Sequence, residues 1–261
     1  MTEKRALVTG AGKRLGQAMA IYLSERGYDV AVHYASSDDG ARATADQIAG
    51  RNRKAALLQA DLLAEDQTQA LVGRAAEALG GPLSVLVNNA SIFEYDTIRT
   101  ATRESWDRHI ESNLRAPYVL TQHFAAQALK AAERADGELE AEALVVNMID
   151  QRVRKLTPEF SSYTIAKMGL WALTRTAAQG LAPDIRVNAI GPGPTLPGPR
   201  ESREHFETHR RTTILGRGSD VPDVTAALGY LLDARAVSGQ LICVDGGQHL
   251  GWKTPDILGI Q

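Results

Sequence analysis

A doubly wound α/β fold is predicted by the order of apolar runs, because strand-length segments alternate with amphipathic helix-length segments along nearly the whole chain. Three observations carry the prediction. The strand candidates read as continuous apolar runs, as strands do when helices cover both faces of a sheet. A helix-length stretch separates most successive strands, which makes the crossovers right-handed and the sheet parallel. At 261 residues, 44% of them hydrophobic, the chain is long enough to bury one sizeable core. The expectation is one α/β domain over residues 1–261, a parallel sheet of seven strands with helices on both faces.

The elements follow in order. Residues 5–9 are the first strand candidate, and a glycine-rich turn leads from them into a helix over 15–26. Residues 29–34 form the second; Asp38 and Asp39 then suit a helix start, where the helix dipole favours acids. Strands are predicted at 55–59 and 85–88, with a helix over 66–79 between them. One long helix is predicted over 105–133, then a strand at 143–148, a helix over 158–181 and strands at 186–190 and 240–244. Residues 191–218 break the rhythm: Pro192, Pro194, Pro197 and Pro199 precede a polar helical stretch. Such an insertion after a late strand reads as a loop that closes over a ligand, a lid.

Composition excludes several classes of function. With 29 basic and 31 acidic residues the net charge is −2, which advertises neither nucleic acid nor anionic membrane as a partner. No apolar run reaches membrane-spanning length, and the opening MTEKRALVTG has no secretory-leader pattern, so a cytoplasmic location is expected. Cys243 lies in an apolar run and reads as a buried strand residue rather than a reactive thiol. His205 and His209 are one helical turn apart, but Phe206 stands where a zinc protease carries Glu, so no metal is expected. Trp106, Trp171 and Trp252 read as core or interface residues.

The turn Thr9-Gly10-Ala11-Gly12-Lys13-Arg14-Leu15-Gly16 sits between a strand and a helix. Glycines let that backbone turn tightly and approach a pyrophosphate at the positive helix N-terminus. An NAD site usually places a carboxylate at the tip of the second strand for the ribose hydroxyls. Here the tip reads His33-Tyr34-Ala35-Ser36-Ser37 without one, and Asp29 is at the wrong end of the strand. Ser36 and Ser37 hydroxyls with the Lys13 and Arg14 cations suit a 2′-phosphate, which points to NADPH. Tyr163 and Lys167 are four apart on a helical segment and leave one face. A free phenol with a pKa near 10 is a poor acid–base at neutral pH, and a nearby ammonium is expected to lower it. Such a pair alone is ordinary. Asn113, Asp150 after the fifth strand, and Pro192-Gly193 after the sixth fall where doubly wound sheets bind ligands.

Together these motifs resemble the short-chain dehydrogenase/reductase family over nearly the whole chain, which implies a Rossmann-type fold and an Asn–Ser–Tyr–Lys tetrad. The resemblance implies cofactor contacts from Gly10, Leu15, Gly16, His33, Tyr34, Asp61, Leu62, Asn89, Ala90 and Ser91 as well. Two departures stand out: the family usually has Gly at Arg14 and Ser at Asp150. An electron-rich substrate oxygen would be repelled by a carboxylate, so Asp150 better suits protonation of nitrogen. Arg in the turn and Asp for Ser are similar to the pteridine reductases and related dihydromonapterin reductases, as are Asn89-Ala90-Ser91-Ile92-Phe93 and the closing Asp245-Gly246-Gly247-Gln248-His249-Leu250.

That narrower resemblance implies substrate contacts from Ser91, Phe93, Asp150, Tyr163 and Pro194, with Phe93 stacked on a pterin. It implies hydride transfer to a C=N bond, protonation through Asp150, Tyr163 and Lys167, and a relay water on Asn113. It also implies a homotetramer paired through the long helices. Two rivals stay open: a carbonyl reductase for an acyl, sugar or polyol substrate, and an inactive NADPH-binding regulator in which Asp150 marks a degraded site.

Overall fold

A computed structural model describes residues 4–198 and 201–254; Pro199 of the expected lid and the chain beyond 254 lie outside the described residues. Nine strands are present among the described residues: β1 (Arg5–Val8), β2 (Asp29–Tyr34), β3 (Ala55–Gln59), β4 (Val85–Asn88), β5 (Ala132–Glu133), β6 (Leu139–Glu140), β7 (Ala143–Met148), β8 (Ile185–Pro192) and β9 (Leu241–Val244). Seven form one sheet in the order β3-β2-β1-β4-β7-β8-β9, every pair parallel. The expected strands are therefore all present, with β8 longer at both ends than its apolar run.

Helices cover both faces because side chains alternate along each strand. On one face Val8, Val30 and Val32 pack with Met19 and Leu23 of α1 (Arg14–Glu25), Ile48 of α2 (Asp38–Ala49) and Leu228. Leu7, Leu86, Val145 and Val187 face the other way, onto Leu71 and Leu79 of α3 (Glu65–Leu79) and onto Leu120 and Phe124. Each fully buried apolar side chain of this size contributes roughly 1.5–3 kcal/mol, and the two clusters lock the sheet between layers. The chain runs outward from β1 to β3, then returns to place β4 on the other side of β1. Strand order reverses there, which opens a crevice at the carboxyl ends of β1 and β4.

The single long helix predicted over 105–133 is not formed. Instead α4 (Arg103–Ile110) passes through a π-helical turn, Glu111–Arg115, into α5 (Ala116–Gln127), and β5 and β6 make a separate hairpin. Pro117 brings no backbone N–H, and the Asn113 amide bonds the backbone of Ile92 at both its N–H and C=O. The inserted residue turns Asn113 toward the crevice, the kind of place where π turns occur. Beyond α5, Gly137 at φ +82° closes the hairpin.

The remaining helices are α6 (Ser161–Gly180), α7 (Arg203–Arg211) and α8 (Val221–Asp233). Thus α6 starts three residues later than its periodicity suggests, after Phe160 at φ +55°. No helix among the described residues is long and apolar enough to cross a membrane.

Candidate active site

At the carboxyl end of β1, Thr9 Oγ1 accepts from the N–H groups of Asn89 and Ala90 at 2.9 Å each. Asn89 Nδ2 returns bonds to the carbonyls of Thr9 (2.8 Å) and Gly10 (3.3 Å). The Asn89 and Ala90 segment thus braces the glycine turn. Gly16 has no room for a side chain: a Cβ there would lie 2.1 Å from the Gly10 carbonyl oxygen and 2.5 Å from Asn89 Nδ2. A Cβ on Gly12 would lie 2.4 Å from Ser37 Oγ, so the hydroxyl expected to meet a 2′-phosphate borders the turn. Ser36 and Lys13 are exposed beside it.

Arg14 keeps the left-handed backbone that the family's usual Gly would adopt, φ +55°. Its side chain makes contacts that the sequence did not announce. The guanidinium donates to the carbonyls of Pro197 (2.7 Å) and Leu196 (3.1 Å), tying the turn to the segment after β8. Two of its five N–H donors are used on these carbonyls.

His33, too, is engaged within the protein. It is buried under the turn, where Nδ1 accepts from Gly10 N–H and Nε2 donates to Ala60 O, both at 3.1 Å. It positions the turn and has no ring nitrogen left for a nucleotide. Burial lowers its pKa from 6.5 to about 4. Between those values the unfolded chain binds a proton that the folded chain refuses, so stability falls as pH drops through that window. The loss approaches about 3 kcal/mol, at 1.36 kcal/mol per unit. We expect the unfolding midpoint of the native protein to drop from pH 6.5 to 4 more steeply than that of His33→Gln; parallel curves would refute this.

Other expected contacts divide. The Tyr34 hydroxyl is held by Asp38, which Arg42 also pairs at 2.7 Å. Asp61 is exposed at the end of β3 and accepts from Leu63 N–H at 3.0 Å. Leu62 points into the core and could offer only backbone. Leu15 is half-buried at the start of α1, and Pro192 ends β8. Gly193 packs so tightly that a Cβ would meet Asp245 Cα at 2.6 Å. Pro194 is buried just after β8, with its carbonyl accepting from Arg210. Asn113 is fully buried; its oxygen is taken by Ile92 N–H (2.9 Å), so the side chain braces Ser91–Phe93 rather than holding a water through that atom.

The structure does bring Asp150, Tyr163 and Lys167 together. Tyr163 O–H donates to Asp150 Oδ2 at 3.1 Å, and Asp150 Oδ1 accepts from Arg152 N–H at 2.8 Å. Burial, then the Asp150 charge, push the phenol well above its usual pKa, and burial raises Asp150 too. The expected lowering of the Tyr163 pKa by Lys167 is therefore not found in this state; the phenol holds its proton. Lys167 is buried, donates to Met148 O at 2.9 Å and is brought down by burial from 10.5 to about 8. The Ser91 hydroxyl lies within hydrogen-bonding reach of Tyr163.

Aromatic rings form the wall. Phe93, half exposed, stacks on Phe160 with centroids 4.2 Å apart and meets Tyr163 edge-on at 4.7 Å. Phe160 and its contact with Tyr95 (5.2 Å) were not anticipated, since no sequence signal marks a left-handed aromatic residue at a helix start. A buried chain beneath Tyr163 was missed as well. Glu94 N–H donates to His109 Nε2 (3.1 Å), so His109 Nδ1 donates to Ser162 Oγ (2.7 Å), and that hydroxyl bonds Asp96. Asp96 also accepts from Ser162 N–H at 3.1 Å, which caps α6 one residue before Tyr163. On α7, His205 and His209 both lie 3.8 Å from Glu201 Oε1. Cys243 is half-buried in β9, and burial raises its thiol to about 11.

The comparisons agree with this geometry. A family model described as Enoyl-(Acyl carrier protein) reductase matches residues 10–249. FolM Alternative dihydrofolate reductase 1 from Brucella suis, solved in complex with NADP, is 42% identical, with 97% of this chain and 98% of that one covered and a TM-score of 0.89. A short chain dehydrogenase from Burkholderia cenocepacia J2315, in complex with NADP, is 30% identical over 94% of this chain and 97% of its own, at a TM-score of 0.84. The 3-oxoacyl-[acyl-carrier-protein] reductase FabG of Staphylococcus aureus is 29% identical over 253 residues, 95% of this chain and 98% of the relative. With the seven-stranded parallel sheet, the braced glycine turn and the Tyr163–Lys167 pair beside Asp150, the chain belongs to the short-chain dehydrogenase/reductase family of oxidoreductases.

Proposed function

We propose that the protein is an NADPH-dependent reductase that acts on a C=N bond of a dihydropterin. The observation that carries this reading is the Tyr163 O–H to Asp150 Oδ2 hydrogen bond, a paired phenol and carboxyl where most relatives use a serine. The similar FolM protein, described as an alternative dihydrofolate reductase, supports it.

The residues present fit the dinucleotide. The glycine turn leaves a cradle that a side chain would fill, and the tip of β2 offers serine hydroxyls while Asp38 beyond it is engaged by Arg42. When bound, NADPH supplies a hydride to carbon. Tyr163 holds a proton at its phenol oxygen and delivers it to the substrate nitrogen; Asp150 aligns that O–H and, with its own pKa raised, takes part in returning the proton. Lys167, a cation below about pH 8, orients the ribose and stabilises the phenolate left behind. Phe93 and Phe160 exclude water from the ring that reacts.

Gly16→Ala should raise the NADPH dissociation constant by on the order of tenfold or more, because the turn must move to admit a methyl group. Titration of NADPH fluorescence checks this; unchanged affinity would mean that the turn does not hold the nucleotide.

The deciding assay follows NADPH absorbance on addition of dihydropterins, dihydrofolate and a ketone panel. Pterin turnover supports the proposal. Ketone turnover alone would favour the carbonyl reductase reading, for which FabG is the observation. Tight NADPH binding without consumption of any substrate would favour a regulator. We also propose that residues 1–261 work as one domain, that 191–218 closes as a lid and that the protein is cytoplasmic. A homotetramer would bury the exposed Tyr118 of α5 with Ile165 and Met168 of α6.

A further inference from the structure

We infer that Arg152 selects substrates that carry an anionic substituent, a carboxylate or a phosphate, outside the ring that is reduced. Where the substrate is a pterin, the inference rests on the function proposed above.

Arg152 lies in a 3-10 turn, Gln151–Val153, directly after Asp150. Its guanidinium carbon is 5.1 Å from the Phe160 ring centroid, and Phe160 in turn stacks on Phe93. The cation therefore borders the aromatic wall on the side of the reacting groups. Its pairing is incomplete. One Nη donates to Thr157 Oγ1, Nε is buried without an acceptor, and among the described residues no carboxylate lies within salt-bridge distance. Two other arginines at this end of the sheet are spent otherwise: Arg14 on the carbonyls of Leu196 and Pro197, Arg210 on Asp220, Pro194 and Ser219.

The Arg152 cation also bears on the acid–base pair. Its field lowers the pKa of both Asp150 and Tyr163, opposing the burial that raises them. That tuning needs only a charge, and Phe160 could be packed by an apolar side chain. What a guanidinium adds is a planar fork matched to carboxylate or phosphate oxygens, set here over the Phe160 ring. A neutral substrate would leave that fork unused.

The test compares kcat/KM for dihydrobiopterin, which is neutral, with dihydroneopterin monophosphate and dihydrofolate, in the native protein, Arg152→Gln and Arg152→Lys. At least one anionic substrate should exceed the neutral one by roughly tenfold; Arg152→Gln should reduce that ratio to within about twofold, and Arg152→Lys should keep part of it. An advantage confined to dihydrofolate identifies a carboxylate, and one confined to the monophosphate identifies a phosphate. No advantage in the native protein, or a ratio unchanged in Arg152→Gln, overturns the inference. If only ketones turn over, the pterin reading fails by itself. The same ratio is then read on acetoacetate against its ethyl ester, by the same criterion. If nothing turns over, it is read from the dissociation constants of folate and pterin on the NADP-loaded protein. NADPH affinity equal to that of the native protein shows that each variant is folded.

Discussion

Tyr163→Phe is expected to lower turnover by on the order of 10²–10⁴-fold, the range assigned to a positioned general acid, while NADPH affinity stays within about twofold. The phenylalanine ring keeps the edge contacts with Phe93 and His109, so the wall and the start of α6 are retained. What disappears is the O–H that points at Asp150 and holds its proton through the working pH range. The measurement pairs steady-state NADPH oxidation with a fluorescence titration of NADPH. Activity close to that of the native protein would remove Tyr163 from the chemistry. The pH profile supplies a second readout. Lys167 carries its charge below about pH 8 and loses it above, so kcat/KM, which reports the free protein, should decline as pH rises through that value.

Asp150→Ser should separate the two kinds of substrate. Pterin turnover is expected to fall by about a hundredfold, the lower part of the range for a group in the proton path, while ketone turnover survives or rises. A serine hydroxyl can donate to a carbonyl oxygen, whereas the carboxylate repels it. Removing the carboxylate also removes the charge that props up Lys167, so the alkaline decline should move to lower pH in Asp150→Ser and in Asp150→Asn. If pterin and ketone rates fell together and the decline stayed near pH 8, Asp150 would be a structural acid with no part in choosing the substrate.

Most of the sheet was legible because its strands are buried on both faces and therefore read as unbroken apolar runs, as in residues 29–34 and 143–148. The stretch 105–133 misled for the opposite reason. Its residues favour helix throughout, and the π turn at Glu111–Arg115 exists because Asn113 bonds Ile92, twenty-one residues away in sequence. Periodicity counts neighbours along the chain and is blind to such a bond. The same blindness explains His33 and Arg14. Each belongs to the region of the glycine turn, but their partners, Ala60 and the carbonyls of Leu196 and Pro197, come from distant segments.

The sequence by itself determined the parallel α/β architecture, the glycine turn at the end of β1 and the Tyr163–Lys167 spacing. Each depends on residues within a few positions of one another, where apolar period, glycine freedom and helical pitch act directly. The tertiary structure decided which groups share protons. Whether Tyr163 sits as a phenol or a phenolate turns on its burial and on a carboxylate thirteen residues away, and both arise only when β7 and α6 pack together. It also decided that Phe160 would back Phe93, and that Arg152 would stand beside them with its charge unpaired by any carboxylate among the described residues. Low dielectric and close approach set these properties, and both come from packing rather than from chain order.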